Sequence, residues 1–255
     1  MNKTELTDFL NEKAAYYETL DFISSDPIQI PHLFSQKEDI EIAGFLAATI
    51  AWGQRPTIIR NATFLVETMD MAPYDFIANF TEDDLEPFSN FKHRTFNFED
   101  LKTFFYALQN LYKNEGGLEA ALSEYPEDMA KNISTFKEKF FTVAHQPRTH
   151  KHVSDPLKGS AAKRINMYLR WMTRSAKGGV DFGIWTKLSS SNLYLPLDVH
   201  TANVSRKLGI LKRKQNDWKA LTEVMDTLQR LDPVDPVKYD FALFGLGVFE
   251  GFGKS

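Results

Sequence analysis

The segment DIEIAGFLAATIAWG repeats apolar positions at the three- and four-residue spacing of an α-helix and stops on Gly53. RPTIIRNATFLVETMD follows with Pro56 in its opening turn, where the missing N–H of proline costs a helix nothing. FEDLKTFFYALQNLYKNEGG runs from an acidic first turn to a double-glycine stop. The same period returns in EDMAKNISTFKEKFFTVA, SAAKRINMYLRWMTRS, a segment opened by Asp198, NDWKALTEVMDTLQRLD and DPVKYDFALFGLGVFEG. The one strand-like run is LYLPL, and no repeat of fixed period occurs. The pattern predicts an all-α protein of eight or more helices.

Linkers are short, and the strongest interruption is HQPRTHKHVSDPLKG, where proline, glycine and three histidines break the helical period. Charge changes sign there too. Residues 1–145 hold 12 Lys+Arg against 24 Asp+Glu, and residues 146–255 hold 18 against 10. The expected organisation is one unit over 1–255, with an acidic helical lobe mainly in 1–145 and a basic lobe mainly in 146–255. Within 148–214 there are 14 basic residues, and only Asp155, Asp181 and Asp198 oppose them. Such a local excess is the electrostatic footprint of a polyanion-binding surface, or else a solvated basic face without a partner.

The remaining composition narrows the classes. A chain of 255 residues, 43% hydrophobic and 25% charged, can bury a substantial core. No apolar run reaches the ~20 residues that span a bilayer, and MNKTELTDFLNEKAAYYETL has no signal-peptide apolar core, so a cytoplasmic protein without a membrane partner is expected. The absence of cysteine excludes disulfides, a cysteine nucleophile and a cysteine-ligated iron–sulfur cluster. His150 and His152 form a lone H-x-H in a loop and lack the further ligands of a metal site, so neither metal nor cofactor is expected.

Candidate chemistry concentrates in KGSAAKRINMYLRWMTRSAKGG. Lys163, Met167, Arg170 and Arg174 fall at i, i+4, i+7 and i+11, so on a helix they share a face, opposite Ile165, Leu169 and Met172. Before them, Lys158, Gly159 and Ser160 supply a cation, a turn and a capping hydroxyl at a helix start, which is a phosphate-binding arrangement. Lys163 in the first turns, beside Arg164 and the other cations, reads either as a phosphate-binding lysine or as an amine whose pKa is lowered by like charge and the helix dipole. Trp171, Trp185 and Trp52 are core residues or stacking platforms, with Trp171 at the border of the cationic face the best stacking candidate. LYLPLDVHTANVSRKLGI puts Asp198 at the mouth of a helix, as an N-cap or as a functional carboxylate. His200 reads as a structural or phosphate-side hydrogen-bonder.

Taken together, KGSAAKRINMYL and LPLDVHTANVSRKLG resemble the helix-hairpin-helix superfamily of base-excision DNA glycosylases, most specifically over PLDVHTANVSRKLG. GFLAATIAWGQRPTIIRNA is similar to the early glycosylase helix and its DNA-facing loop, with Gln54 or Arg55 as counterpart. The whole chain, including DPVKYDFALFGLG, is similar to an uncharacterised bacterial family associated with that superfamily. Ala161 stands where the usual hairpin has a second glycine. Lys163 and Asp198 stand 35 positions apart, a stretched arrangement similar to that of the archaeal 8-oxoguanine glycosylase branch.

The resemblance implies two helical lobes with a cleft between them and damaged or abasic duplex DNA as partner. It implies Lys163 as Schiff-base nucleophile and Asp198 as stabiliser of the sugar cation, hence a bifunctional glycosylase and AP lyase acting on a damaged base such as an oxidised purine. Lys158, Gly159, Ser160, Arg164, Arg170, Arg174, Gln54, Arg55 and His200 would contact DNA. The alternatives are a non-catalytic DNA-binding protein of the same fold, and an unrelated helical protein docking an acidic protein partner.

Overall fold

A computed structural model describes residues 1–253. Its helices are α1 (Lys3–Tyr17), α2 (Leu20–Ser24), α3 (Lys37–Thr49), α4 (Arg55–Thr68), α5 (Pro73–Asn79), α6 (Phe98–Asn114), α7 (Gly117–Ala121), α8 (Met129–Phe140), α9 (Lys163–Thr173), α10 (Val199–Lys207), α11 (Trp218–Leu231) and α12 (Tyr239–Val248). Short 3-10 turns join several of them. Each helix expected from periodicity is present, and among the described residues the one strand pair is a two-residue antiparallel hairpin, β1 (Lys92–His93) and β2 (Phe96–Asn97), so the fold is all-α. LYLPL is not that pair. Residues 193–197 are extended without ladder partners, and their leucines are buried. Alternating apolar side chains there anchor a connecting segment, whereas the tiny hairpin at 92–97 is too short to leave a period-two signal.

Two compact units divide the chain. One gathers Met1–Phe22, Pro126–Ala130 and the chain from Asp155 onward; the other holds Ile23–Tyr125 and Lys131–Ser154. The change from one to the other at 154/155 falls inside HQPRTHKHVSDPLKG, and the N-terminal helix α1 belongs with the basic segment rather than with the acidic half. The second unit is built on a phenylalanine core, in which Phe45 stacks against Phe104 at 5.9 Å and meets Phe136 and Phe140, while Phe105 packs edge-on to Phe76 and Phe88.

The first unit is organised by α12, which makes its most extensive contacts with α1 and α10. YDFALFGLGV is apolar nearly all round because the helix is covered on several sides, the condition under which a helix needs no polar stripe. Close approach of α1 depends on Gly245: a Cβ there would stand 2.2 Å from the Tyr17 ring. Gly245→Ala should therefore push α1 outward and lower the unfolding free energy by about 1–3 kcal/mol, the usual cost of overpacking a filled contact. Urea denaturation checks this, and an unchanged midpoint would mean that Tyr17 can yield.

Candidate functional site

Lys163 is the first residue of α9, reached through a left-handed turn. Gly159 closes the 3-10 turn Pro156–Lys158 at φ +91, a conformation L side chains rarely adopt, which explains the glycine even though open space surrounds it. Ser160 pairs with Asp217 in an isolated antiparallel bridge, and Trp218 donates its N–H to the Gly159 carbonyl at 3.0 Å, so the turn is tied to the start of α11. The capping role expected of Ser160 is corrected. The N-cap is Ala162, itself left-handed at φ +46 and without a side-chain cap bond, while the Ser160 hydroxyl accepts the Ala162 N–H at 3.1 Å, one step outside the helix.

Asp198 is the N-cap of α10. Its Oδ1 accepts the Thr201 N–H at 2.9 Å, and the Thr201 hydroxyl accepts the Asp198 N–H at 2.8 Å in return, a capping box that fixes the carboxylate's direction. The free oxygen, Oδ2, lies 3.1 Å from Lys163 Nζ. Lys163 and Asp198, distant in sequence, are thus a direct ion pair within one compact unit. Its Lys163 side chain is 38% exposed and its Asp198 side chain 13%, so the amine has access to solvent while the carboxylate is sheltered. Burial pushes the Asp198 carboxyl up, but the Lys163 ammonium, the Thr201 N–H and His200 outweigh it and hold the group below the usual carboxylate range. His200 itself is exposed on the first turn of α10.

Behind this pair lies a buried ionic cluster. Arg170 donates to Asp240 Oδ2 at 2.8 Å and approaches Asp181 Oδ1 at 3.4 Å. Arg174 pairs with Glu18, with Asp181 Oδ2 at 3.1 Å and with Asp235 at 2.9 Å. Arg170 and Arg174 are 2% and 6% exposed, which corrects their assignment to a phosphate-gripping face. The shared face of α9 is real, but beyond Lys163 it turns inward onto carboxylates from the C-terminal cap of α1, from α12 and from the loops. Trp171 is likewise corrected: it is fully buried and cannot stack on a base. Trp185 is buried edge-on against Tyr168.

The other expected contact residues are dispersed. Lys158 is 80% exposed beside Asp155 at 3.6 Å, and Arg164 is partly covered, its guanidinium lowered to about 10 by burial. Gln54 is exposed at the start of α4 and Arg55 is its first residue, both in the second unit, where Trp52 packs edge-on to His93 and stacks on His152. His150 faces His145 across 2.5 Å, and no group of three or more metal-ligating side chains occurs among the described residues. No helix among them is long and apolar enough to cross a membrane. Sequence reasoning missed Asp181, Asp240 and Glu18. Asp181 had a signal, as a lone acid in a strongly basic run.

An all-α chain with a capped Asp–Lys pair at two helix starts still leaves its lineage open. The family model described as "Protein of unknown function (DUF2400)" matches residues 26–249, and the chain belongs to that family. No curated protein and no solved structure matches it.

Two outcomes follow from this geometry. Arg170→Ala leaves Asp240 buried without its cation and Asp181 with Arg174 alone, and should destabilise the protein by about 3–5 kcal/mol in urea unfolding, the usual result of breaking one side of a buried pair. A variant as stable as wild type would return Arg170 to the surface. The Asp198 carboxyl is depressed in the folded protein, so the stability it adds is full above the unfolded value of about 4 and is lost as pH falls through the lower folded one. The difference in unfolding free energy between wild type and Asp198→Asn should shrink towards acid pH; a difference that stays constant down to acid pH would deny the ionic component.

Proposed function

We propose that this protein is a DNA-repair glycosylase of the helix-hairpin-helix type with AP lyase activity, working on a damaged base in duplex DNA through Lys163 and Asp198. The observation that carries the reading is the 3.1 Å pairing of Lys163 Nζ with Asp198 Oδ2, each at the start of its own helix. Rupture of an N-glycosidic bond builds positive charge on the sugar, which a fixed carboxylate stabilises. Asp198, oriented by its capping box, is such a carboxylate, and at hydrogen-bond distance it can also take a proton from Lys163. The freed amine attacks C1′, the bond to the base breaks with the electron pair leaving on the base, which takes up the proton that Asp198 received and so restores the carboxylate, and ring opening gives an iminium. Loss of the C2′ proton then expels the 3′ phosphate, and water releases the lysine.

DNA would be held by the cations that remain exposed. Arg206 donates to the Arg213 and Lys214 carbonyls, fastening the end of α10 to the segment that carries Lys212 and Lys214, so Lys207, Lys212 and Lys214 form a local basic group. With Lys158, these replace Arg170 and Arg174 as the phosphate contacts. The competing reading is a DNA-binding protein of the same fold without chemistry. It is favoured by one point: a salt bridge between Lys163 and Asp198 is a sufficient structural reason for both residues.

Borohydride reduction separates the two. Wild type should become covalently linked to an abasic or oxidised-purine duplex, and Lys163→Gln should abolish the link while DNA binding persists. Asp198→Asn keeps the cap and should slow base release by about 10²-fold or more. Equal trapping by Lys163→Gln would remove Lys163 as nucleophile, with Lys158 next in line. Absence of trapping on every lesion, with salt-dependent DNA binding retained, would leave the non-catalytic reading.

A further inference from the structure

The buried cluster behind the Lys163–Asp198 pair does not balance. Two guanidinium groups, Arg170 and Arg174, face four carboxyls, Glu18, Asp181, Asp235 and Asp240. Full ionisation would leave two negative charges unmatched in a site from which water is largely excluded, an arrangement that proteins relieve by retaining a proton. Glu18 and Asp235 are the more exposed and are served by Arg174, whereas Asp181 touches both arginines. Asp240 holds Arg170 through Oδ2 alone. Its Oδ1, like that of Asp181, has no hydrogen-bond partner, and the residue is 6% exposed; but Asp181 has two guanidinium groups to offset its charge, where Asp240 has Arg170.

Asp240 is also the carboxyl of this cluster that senses the pair in front of it, since both Asp198 and Lys163 act on it through their charges. Arg170, its partner, lies seven residues after Lys163 on α9, on the same helix face, and α12 packs on the α10 helix that Asp198 caps. We propose that Asp240 is a positioning residue that holds a proton behind the Lys163–Asp198 pair and, by keeping or releasing it, sets how readily the Lys163 amine becomes free to react. Protonated, it adds no charge and the amine is released more easily. Ionised, it adds a negative charge that retains the ammonium. The proposal rests on the reading of Lys163 as the reacting amine.

The charged surroundings agree with this assignment. From α9 and its C-terminal cap come Lys163, Arg170 and Arg174; from the start of α10, Asp198 and the exposed His200; from the loop after α9, Asp181; from the C-terminal cap of α1, Glu18 through Arg174. On the approach to α12, Asp235 is engaged by Arg174, and Lys238 is taken by Asp232. Lys13 and Tyr17 are committed to Glu250 at the far end of α12. Burial pushes the Asp240 carboxyl up to about 7 against the pull of Arg170, so the proton would be exchanged in the neutral range.

Trace acetylation with acetic anhydride tests this in the DNA-free protein, with the rate at Lys163 measured by peptide mass spectrometry relative to the exposed Lys158. Wild type and Asp240→Asn should agree near about pH 6, where the carboxamide mimics the protonated acid, and diverge above about pH 7, with Lys163 in the variant labelled about threefold or more faster. Curves that coincide throughout, or differ by one constant factor, would overturn the proposal, because a merely structural role carries no such pH signature. If the variant folds poorly, the Asp240 carboxyl carbon in wild type can be followed by NMR. Titration in the neutral range supports the assignment, and a carboxylate ionised down to about pH 5 sinks it. No step of this requires DNA chemistry, so failure of borohydride trapping would remove the lyase reading alone, and unchanged labelling would remove this inference alone.

Discussion

The first unit depends on the burial of Arg170 and Arg174 among acids contributed by separate pieces of chain. The residue after α1 supplies Glu18, α12 supplies Asp240, and the segments flanking α9 and α12 supply Asp181 and Asp235. Each guanidinium has donors enough to bind more than one carboxylate, so two side chains from one helix face can fasten four segments at once. The hydrophobic effect alone would not select this arrangement. An ion cluster tolerates few alternative packings, because any segment that slides leaves a desolvated charge behind. Stacking of Arg170 over the Phe241 ring at 4.3 Å adds to the selection by covering the face of the guanidinium that carries no hydrogen bond.

That fixed frame is what gives the Lys163–Asp198 pair a defined geometry. α9 cannot rotate without withdrawing Arg170 from Asp240, so the first residue of the helix is held as firmly as its middle. Asp198 is restrained independently by Thr201. Two local constraints, a buried anchor seven residues along and a capping box, therefore converge on one 3.1 Å contact between residues remote in sequence. A surface ion pair without such backing would lose its geometry to side-chain entropy.

The helical content was legible because periods of three and four survive in any amphipathic helix, and α3, α4, α6, α9 and α11 all showed them. Asp198 as a helix opener and Lys163 at a helix start were legible for the same local reason. What escaped was direction: a helical wheel establishes that Lys163, Arg170 and Arg174 share a face but not what the face meets. Here the rest of that face meets carboxylates, and arginines that read as a binding surface are interior. The run 148–214 nevertheless carried the clue in its three isolated acids, since Asp155, Asp181 and Asp198 each pair with a cation of that same run, Lys158, Arg170 with Arg174, and Lys163. Asp240 and Glu18 lie far outside it and could be found only in three dimensions.

The packing of α1 on α12 through Gly245 also sets an order of events during synthesis. The residues of the second unit are all made before Asp155 leaves the ribosome, so that unit can assemble as the chain emerges. α1 has no such opportunity. Glu18 must wait for Arg174, and the packed face of α1 for α12, which at ~5–20 residues per second appears roughly 10–45 s after α1. Through that interval α1 is the part of the chain that needs shielding, and Glu18 meets Arg174 only after the whole of the second unit has been made.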